Sequence, residues 1–388
     1  MASMGVALII AGLAVGVYAY VIYPLIVLLL ARVDPGANQM HSHEDWPELT
    51  VVLPVYNEEQ VIADTLEAIL AVDYPRDKMH VLVVSDASDD RTDDIVRSYE
   101  EEGVELLRMP QRGGKTAAEN AARFHIRGDI IVNTDASVRI ARDGLKPLVG
   151  VFGDPEVGVA SGRDVSIARG KRDTNVGESG YVGYEMWVRG WETRAGGIVG
   201  ASGCFFASRG ELHEQVVPGA LSRDFAAPLI AKEHGYRSVS VRDAVCYVPR
   251  QPSLRGEYRR KVRTMTRGLE TLFHKRNLLN PFRYGRFAWM LMSHKLIRWL
   301  VPWAALAMFI GTGLVAFNLG FGLAFLIVTL GVFLLTLLTW SWPFGIRIPI
   351  VLALLGYVIL ALLAGLHAWV NALRGELNPV WEPTRRHT

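Results

Sequence analysis

Hydrophobic and polar positions divide the chain into two regimes. In the first, short runs of aliphatic residues alternate with stretches whose apolar positions recur every three or four residues. Residues 49–55, 80–85, 104–108 and 130–133 read as buried strands, and 157–161 as another. Between them, 58–71 carries Val61, Ile62, Leu66, Ile69 and Leu70 at helical spacing, and 91–102 reads as a charged surface helix. An alanine-rich helix follows the turn Gly113-Gly114. This alternation predicts an α/β fold with a parallel, doubly wound sheet and right-handed crossovers. Further on, 165–179 is polar and glycine-bearing, which predicts a mobile connection. Residues 181–193 set Tyr184, Trp187 and Trp191 at helical intervals among Glu185, Arg189 and Glu192, either a sugar-facing helix or a buried aromatic stripe.

In the second regime charge disappears. Residues 4–30, 299–346 and 348–373 contain no Asp, Glu, Lys or Arg. A helix needs roughly 20 residues to cross about 30 Å of hydrocarbon. The middle stretch is too long for one span and breaks between Asn318 and Gly322. Four membrane helices are therefore predicted, at 5–30, 299–317, 322–341 and 349–371. The first lacks a basic leader and is longer than a signal-peptide core, so it is expected to be an anchor. Arg32 after it, and Arg286, Lys295 and Arg298 ahead of the second, predict that residues 49–280 face the cytoplasm of a plasma (inner) membrane. Four spans then place both termini outside, against the pull of Arg374, Arg385 and Arg386. The expected organisation is an anchor (1–31), a linker (32–48), a soluble domain (49–254), basic interfacial helices (255–298), three membrane helices (299–373) and a tail (374–388).

Composition changes this picture little. A formal net charge of +2 carries no polyanion-binding signal, so nucleic acid is not expected as a partner. Cys204 and Cys246 are far apart and give neither a disulfide framework nor metal-ligand spacing; both are expected reduced and partly buried. His41 and His43 are spaced like ligands but lie in a polar linker, where binding is not expected.

The candidate chemistry sits where strands end. The run 49–55 stops at Asn57 and Glu58, the run 80–85 at Asp86, and the run 130–133 at Thr134 and Asp135. Acids and small residues at three strand ends suggest one crevice, because open α/β sheets bind ligands at the carboxyl ends of strands. The segment Gly113-Gly114-Lys115-Thr116 lacks the spacing of a P-loop, leaving flexible glycines and one lysine that can meet a phosphate. Asp224 opens a further helix, where it is either a first-turn or capping acid or a catalytic one. Residues 255–276 hold eight Lys/Arg against Glu257 and Glu270, suited to a lipid surface or to a pyrophosphate.

On these residues the chain resembles family 2 glycosyltransferases, specifically the membrane-embedded branch that includes cellulose, chitin, hyaluronan and poly-N-acetylglucosamine synthases. The resemblance implies a nucleotide-binding, GT-A-like domain inserted between transmembrane α-helices. It places Pro54, Tyr56, Asn57 and Glu58 at the opening nucleotide-binding strand end, Asp86 at the base and Lys115 near the nucleotide. Thr134-Asp135-Ala136-Ser137 resembles the DxD metal motif, implying Mg2+ or Mn2+ at Asp135. Asp224 matches the general base of the TED motif, and Arg260 and Arg263 match the QxxRW segment near acceptor and diphosphate. Three departures stand out: Ser137 replaces the second acid of DxD, Ser222-Arg223 precedes Asp224, and the Gln and Trp of QxxRW are absent.

The activity so implied is inverting transfer from a nucleotide-sugar, expected to be a UDP-sugar, to a growing polysaccharide, with accessory export proteins as possible partners. Transfer to a lipid carrier or lipid-linked oligosaccharide is the alternative, and an inactive transport or scaffold protein a minor one. A hard cation at Asp135 would take charge developing on the diphosphate, helped by Arg260 or Arg263, and a carboxylate would accept the acceptor's proton.

Overall fold

The computed structural model describes residues 1–33, 46–167, 176–249, 254–342 and 349–376. His41, His43, Arg385, Arg386 and the middle of 165–179 lie outside them. The flanks of that last segment are regular: one end completes a strand and the other opens a helix.

Among the described residues eight strands form one sheet: β1 (Leu49–Val55), β2 (Met79–Ser85), β3 (Val104–Arg108), β4 (Ile130–Thr134), β5 (Arg139–Ile140), β6 (Val157–Ile167), β7 (Phe205–Arg209) and β8 (Arg237–Pro249). Their spatial order is β3-β2-β1-β4-β7-β6-β8-β5. The half that alternates with helices is parallel, with Leu49 opposite Met79 on one side of β1 and opposite Ile130 on the other. Beyond β4 the sheet becomes mixed, because β7 runs antiparallel to both β4 and β6. The parallel alternation therefore describes the first half, and the complete sheet is a GT-A-like mixed one.

Central β1 is buried along its whole length, which is why it reads as an unbroken apolar run. Its side chains still alternate: Val51, Leu53 and Val55 join Ile62, Leu66 and Ile69 of the following helix, while Val52 faces Ala118 and Ala122. Burying each such aliphatic side chain contributes about 1.5–3 kcal/mol. Pro54, which has no N–H to give, lies past the last pair with β4, Val52 with Asn133, so no ladder bond on that side is lost.

The helices, in chain order, are α1 (Ala2–Arg32), α2 (Ile62–Leu70), α3 (Thr92–Arg97), α4 (Lys115–Ala121), α5 (Leu145–Gly150), α6 (Val176–Arg194), α7 (Gly210–His213), α8 (Arg223–Glu233), α9 (Leu254–His274), α10 (Pro281–Asn318), α11 (Gly322–Trp340) and α12 (Ile350–Arg374). Among the described residues four helices, α1, α10, α11 and α12, are long and apolar enough to cross a membrane. With the charge-free stretches 4–30, 299–346 and 348–373 that they contain, they make this a membrane protein. α10 starts well before residue 299: it kinks at Gly285 and carries a π turn at Met292–Ile297 before its apolar part.

The membrane helices pack on one another and on the sheet domain. α1 packs on α10 through glycines, where a Cβ on Gly12 would come within 2.3 Å of Met308 and one on Gly311 within 2.6 Å of the Gly5 carbonyl. The second half of α1 packs Tyr23 and Val27 into a cluster with Val188 and Ala195 of α6. The face of α6 turned inward carries charge: Glu185, Arg189 and Glu192 are buried, while Trp187 and Tyr181 stay exposed. Glu192 receives the Tyr23 hydroxyl and a ring N–H of His294, and Glu185 pairs with His294 at 2.8 Å and Arg298 at 2.7 Å. Burial alone would raise the Glu185 pKa, but His294, Arg298 and Lys295 hold it well below the carboxylate range.

Candidate active site

The strand-end residues of β1 and β2 knit the crevice's first wall. Asn57 adopts a positive φ of 52°, and its Oδ1 accepts the N–H of Asp89 at 2.9 Å. The N–H groups of Asn57 and Glu58 go to Ser88 Oγ and Thr92 Oγ1. Glu58 is buried at this junction. Tyr56 is half-buried, with the Arg112 guanidinium 3.8 Å above its ring centre. Arg112 gives no sequence signal, since nothing in its neighbourhood marks the stacking.

Asp86, at the end of β2, is only 2% exposed. Its carboxylate accepts the N–H of Gly113 at 2.6 Å and of Gly114 at 2.8 Å. Asp86 thus holds the glycine turn, in which Gly114 takes a φ of +87° that disfavours any side chain. The turn delivers Lys115 to the start of α4. Lys115 Nζ lies 2.5 Å from Asp135 Oδ1 and 2.9 Å from the Gly203 carbonyl. Burial would lower the lysine pKa, but Asp135, Glu119 and Asp224 outweigh it and hold the ammonium above its usual range.

Asp224 arrives from the other side. Its Oδ2 lies 3.0 Å from where a Cβ on Gly203 would stand, so glycine there lets the carboxylate approach the Lys115–Asp135 pair. The helix cap is Ser222, whose hydroxyl donates to Asp224 Oδ1, and Asp224 sits in the first turn. Arg223 is 4% exposed and turns inward to Asn120 Oδ1 and the carbonyls of His213 and Gln215.

The turn carrying Gly203 is itself braced. Ser202 N–H donates to Ser161 Oγ, and Ser202 Oγ donates to Asp164 Oδ1 at 2.6 Å. Cys246 Sγ also reaches Asp164, whose pKa burial pushes up. Cys246 is buried and Cys204 half-buried, and neither is in a disulfide.

α9 forms the remaining wall, with Arg260, Arg263 and Arg267 on one face at i, i+3 and i+7. Arg260 binds Glu257 at 2.8 Å and Glu178 of α6 at 2.7 Å, and it lies close enough to Cys204 to interact electrostatically. Arg263 is half-buried one turn on. Arg267, which sequence reasoning missed although it continues their spacing, donates to Thr116 Oγ1 at 2.8 Å and to the Leu221 carbonyl at 2.5 Å. It clamps the start of α4 to the loop ahead of Asp224. α9 also packs on α12, through Leu269 against Ala368 and Ala372 and a Tyr258–His367 hydrogen bond of 2.9 Å. The basic helix is therefore a strut between the crevice and a membrane helix.

Among the described residues no three His, Cys, Asp or Glu cluster as a metal cage. A phosphate-bridged Mg2+ or Mn2+ needs only one or two carboxylates, the rest being waters and phosphate oxygens. Asp135, partly exposed at the strand end with a cationic ammonium on one oxygen, fits that need. Ser137 stays close in sequence as a neutral oxygen.

The sequence and fold have known counterparts. A family model, Glycosyl transferase family 2, matches residues 50–217. The chain is 33% identical over 126 residues to the probable glycosyltransferase YdaM of Bacillus subtilis, matching 31% of this chain and 30% of that protein's length. It is 31% identical over 127 residues to an N-acetylglucosaminyltransferase of Bradyrhizobium elkanii, covering 32% of this chain and 69% of that protein. The chain spans about a third of the length of the first curated relatives it matches. In structure it resembles the mannosyltransferase PcManGT of Pyrobaculum calidifontis, solved with GDP-Man and Mn2+, with a TM-score of 0.71 and 23% identity over 97% of this chain and 99% of that one. That likeness shows the fold, membrane helices included in the aligned length. The chain belongs to glycosyl transferase family 2.

Proposed function

We propose that this protein is a membrane-bound, inverting glycosyltransferase that moves a sugar from a nucleotide-sugar to an acceptor presented at the membrane. The observation that carries the proposal is the convergence of Asp135, Lys115, Gly203 and Asp224 at the carboxyl end of the parallel strands. Tyr56, Asn57, Glu58 and Asp86 line the half of the crevice given to the nucleotide, Asp86 by fixing the glycine turn.

Asp135 would hold Mg2+ or Mn2+ together with the donor diphosphate; when bound, such a cation neutralises charge developing on the leaving group. Lys115 places a second positive charge beside it. Asp224 accepts the proton of the attacking hydroxyl, its carboxylate positioned by the Ser222 hydroxyl. Attack from the face opposite the diphosphate inverts the anomeric carbon, so no enzymatic nucleophile is needed. Arg260 and Arg263 stand at the rim, where guanidinium forks suit diphosphate oxygens. Arg260 is already shared between two carboxylates, so its main work there is to hold α9 against α6.

The donor is taken to be a UDP-sugar and the acceptor a growing polysaccharide. A lipid-linked acceptor is the second reading. It is favoured by the exposed Tyr181 and Trp187 on α6, next to the apolar second half of α1. The sheet domain is placed on the cytoplasmic side. Membranes containing the protein, given a panel of labelled UDP- and GDP-sugars with Mn2+, separate these readings. The polysaccharide reading predicts label in high-mass polymer from a UDP-sugar. Label confined to organic-extractable lipid would move the acceptor to the second reading, and no transfer from any donor would overturn the proposal.

A further inference from the structure

Buried on α4, one turn beyond Lys115, is a carboxylate that the reaction above does not use. Glu119 is 1% exposed, and neither of its oxygens accepts a hydrogen bond from the described residues. Two cations stand just beyond bonding distance: Lys115 Nζ at 3.9 Å from Oε1 and Arg223 Nε at 3.9 Å from Oε2. Arg223 gives its hydrogen bonds to Asn120 and two carbonyls. Lys115 gives its own to Asp135 and Gly203. Burying an ionisable oxygen pair without hydrogen bonds is costly, so the arrangement calls for a use.

We propose that Glu119 is a positioning residue for the cation site: Lys115 passes from Asp135 to Glu119 when Asp135 takes a divalent cation. The inference rests on the reading of Asp135 as the metal residue. An ammonium and a divalent cation cannot share one carboxylate oxygen without strong repulsion. The Lys115 side chain is four-fifths buried, so moving its charge fully into solvent means leaving its pocket. A shift of about 1 Å brings its Nζ within hydrogen-bonding distance of Glu119 Oε1, where a charge-assisted bond forms. The exchange frees Asp135 while keeping the ammonium compensated, and it satisfies an orphaned oxygen. Lys115 and Glu119 lie at i and i+4 on one helix, so no backbone movement is required. Burial raises the Glu119 pKa and is opposed by Lys115 and Arg223, so the lysine's approach favours the charged form that it needs.

The test measures Mn2+ binding by the full, detergent-solubilised chain without any nucleotide-sugar, following free Mn2+ by electron paramagnetic resonance. Glu119→Gln is expected to weaken Mn2+ binding about tenfold, the equivalent of about 1.4 kcal/mol. Lys115→Met is expected to tighten it relative to wild type, because nothing then competes for Asp135. In the Lys115→Met background, Glu119→Gln is expected to have no further effect. Unchanged Mn2+ affinity in Glu119→Gln would overturn the exchange. So would an undiminished loss in the Lys115→Met background, which would mark plain long-range electrostatics. Asp135→Asn separates the underlying reading: Mn2+ binding that survives it removes the metal from Asp135 altogether. Glu119→Asp guards against misfolding. It keeps the charge, so it is expected to retain more Mn2+ affinity than Glu119→Gln at an equal melting temperature, and equal losses in both variants would overturn the proposal.

Discussion

At the scale of single residues, Asp224 has two candidate roles, first-turn acid and proton acceptor. Ser222 is the cap of α8, and the Asp224 carboxylate faces Gly203 and the Lys115–Asp135 pair. Asp224→Asn should therefore leave folding and donor affinity nearly intact and lower the transfer rate by roughly 10²–10⁴-fold. Donor affinity and transfer rate measured on the same protein check this. A fall below about tenfold returns Asp224 to a structural role. A second residue carries a pH signature. Burial, reinforced by Arg223, lowers the His213 pKa from 6.5 to about 3, and its Nε2 donates to the Glu119 carbonyl as a neutral ring. The unfolded chain then binds the extra proton first. Stability is full above pH 6.5 and is lost as pH falls towards 3, with a slope approaching about 1.4 kcal/mol per pH unit from this group. Melting curves across that range should show a shallower slope for His213→Gln, and identical slopes would contradict the assignment.

At the scale of elements, close helix packing makes a sharp prediction. Gly12 and Gly16 lie one turn apart on α1, but only a Cβ at Gly12 would strike α10, at Met308 and the Ala304 carbonyl. Gly12→Leu should lower the melting temperature in detergent, and Gly16→Leu, with nothing within 4 Å, should leave it unchanged. Equal effects would mean that α1 and α10 do not meet there. The elements also show what a sequence can reveal. β1, β4 and the apolar parts of the membrane helices are legible because each carries one environment along its length, fully buried or fully apolar. β8 is not, because its charged Arg242 and Asp243 interrupt the apolar run near the register shift between Ser161 and Arg163 of its partner β6. Nor does the sequence of α6, read as a sugar-facing helix or a buried aromatic stripe, reveal its charged inner face: its buried Glu192 is matched by Tyr23 and His294, more than a hundred residues away in either direction. Asp135 and Asp224 are legible from motif and position. Glu119 is not, since an isolated Glu on an alanine-rich helix looks solvated.

At the scale of the molecule, the crevice and the membrane are mechanically joined. Arg267 reaches the crevice from the same helix that packs Leu269 on α12. α6 links Glu178, at the Arg260 rim, to α1 and α10 through its buried acids. The walls of the site are thus fixed to membrane helices. Placing this domain in the cytoplasm predicts that a cysteine introduced at position 100 is shielded from an impermeant reagent in intact cells, and labelling there would reverse the orientation. The central claim is that Asp135, at the end of β4, makes this protein a metal-dependent glycosyltransferase. The direct measurement is nucleotide diphosphate release from a nucleotide-sugar by purified protein, with and without Mn2+, for wild type and Asp135→Asn. The account predicts Mn2+-dependent release by the wild type and none above background by Asp135→Asn at unchanged melting temperature. Wild-type-like release by the mutant, or release indifferent to the metal, would contradict it.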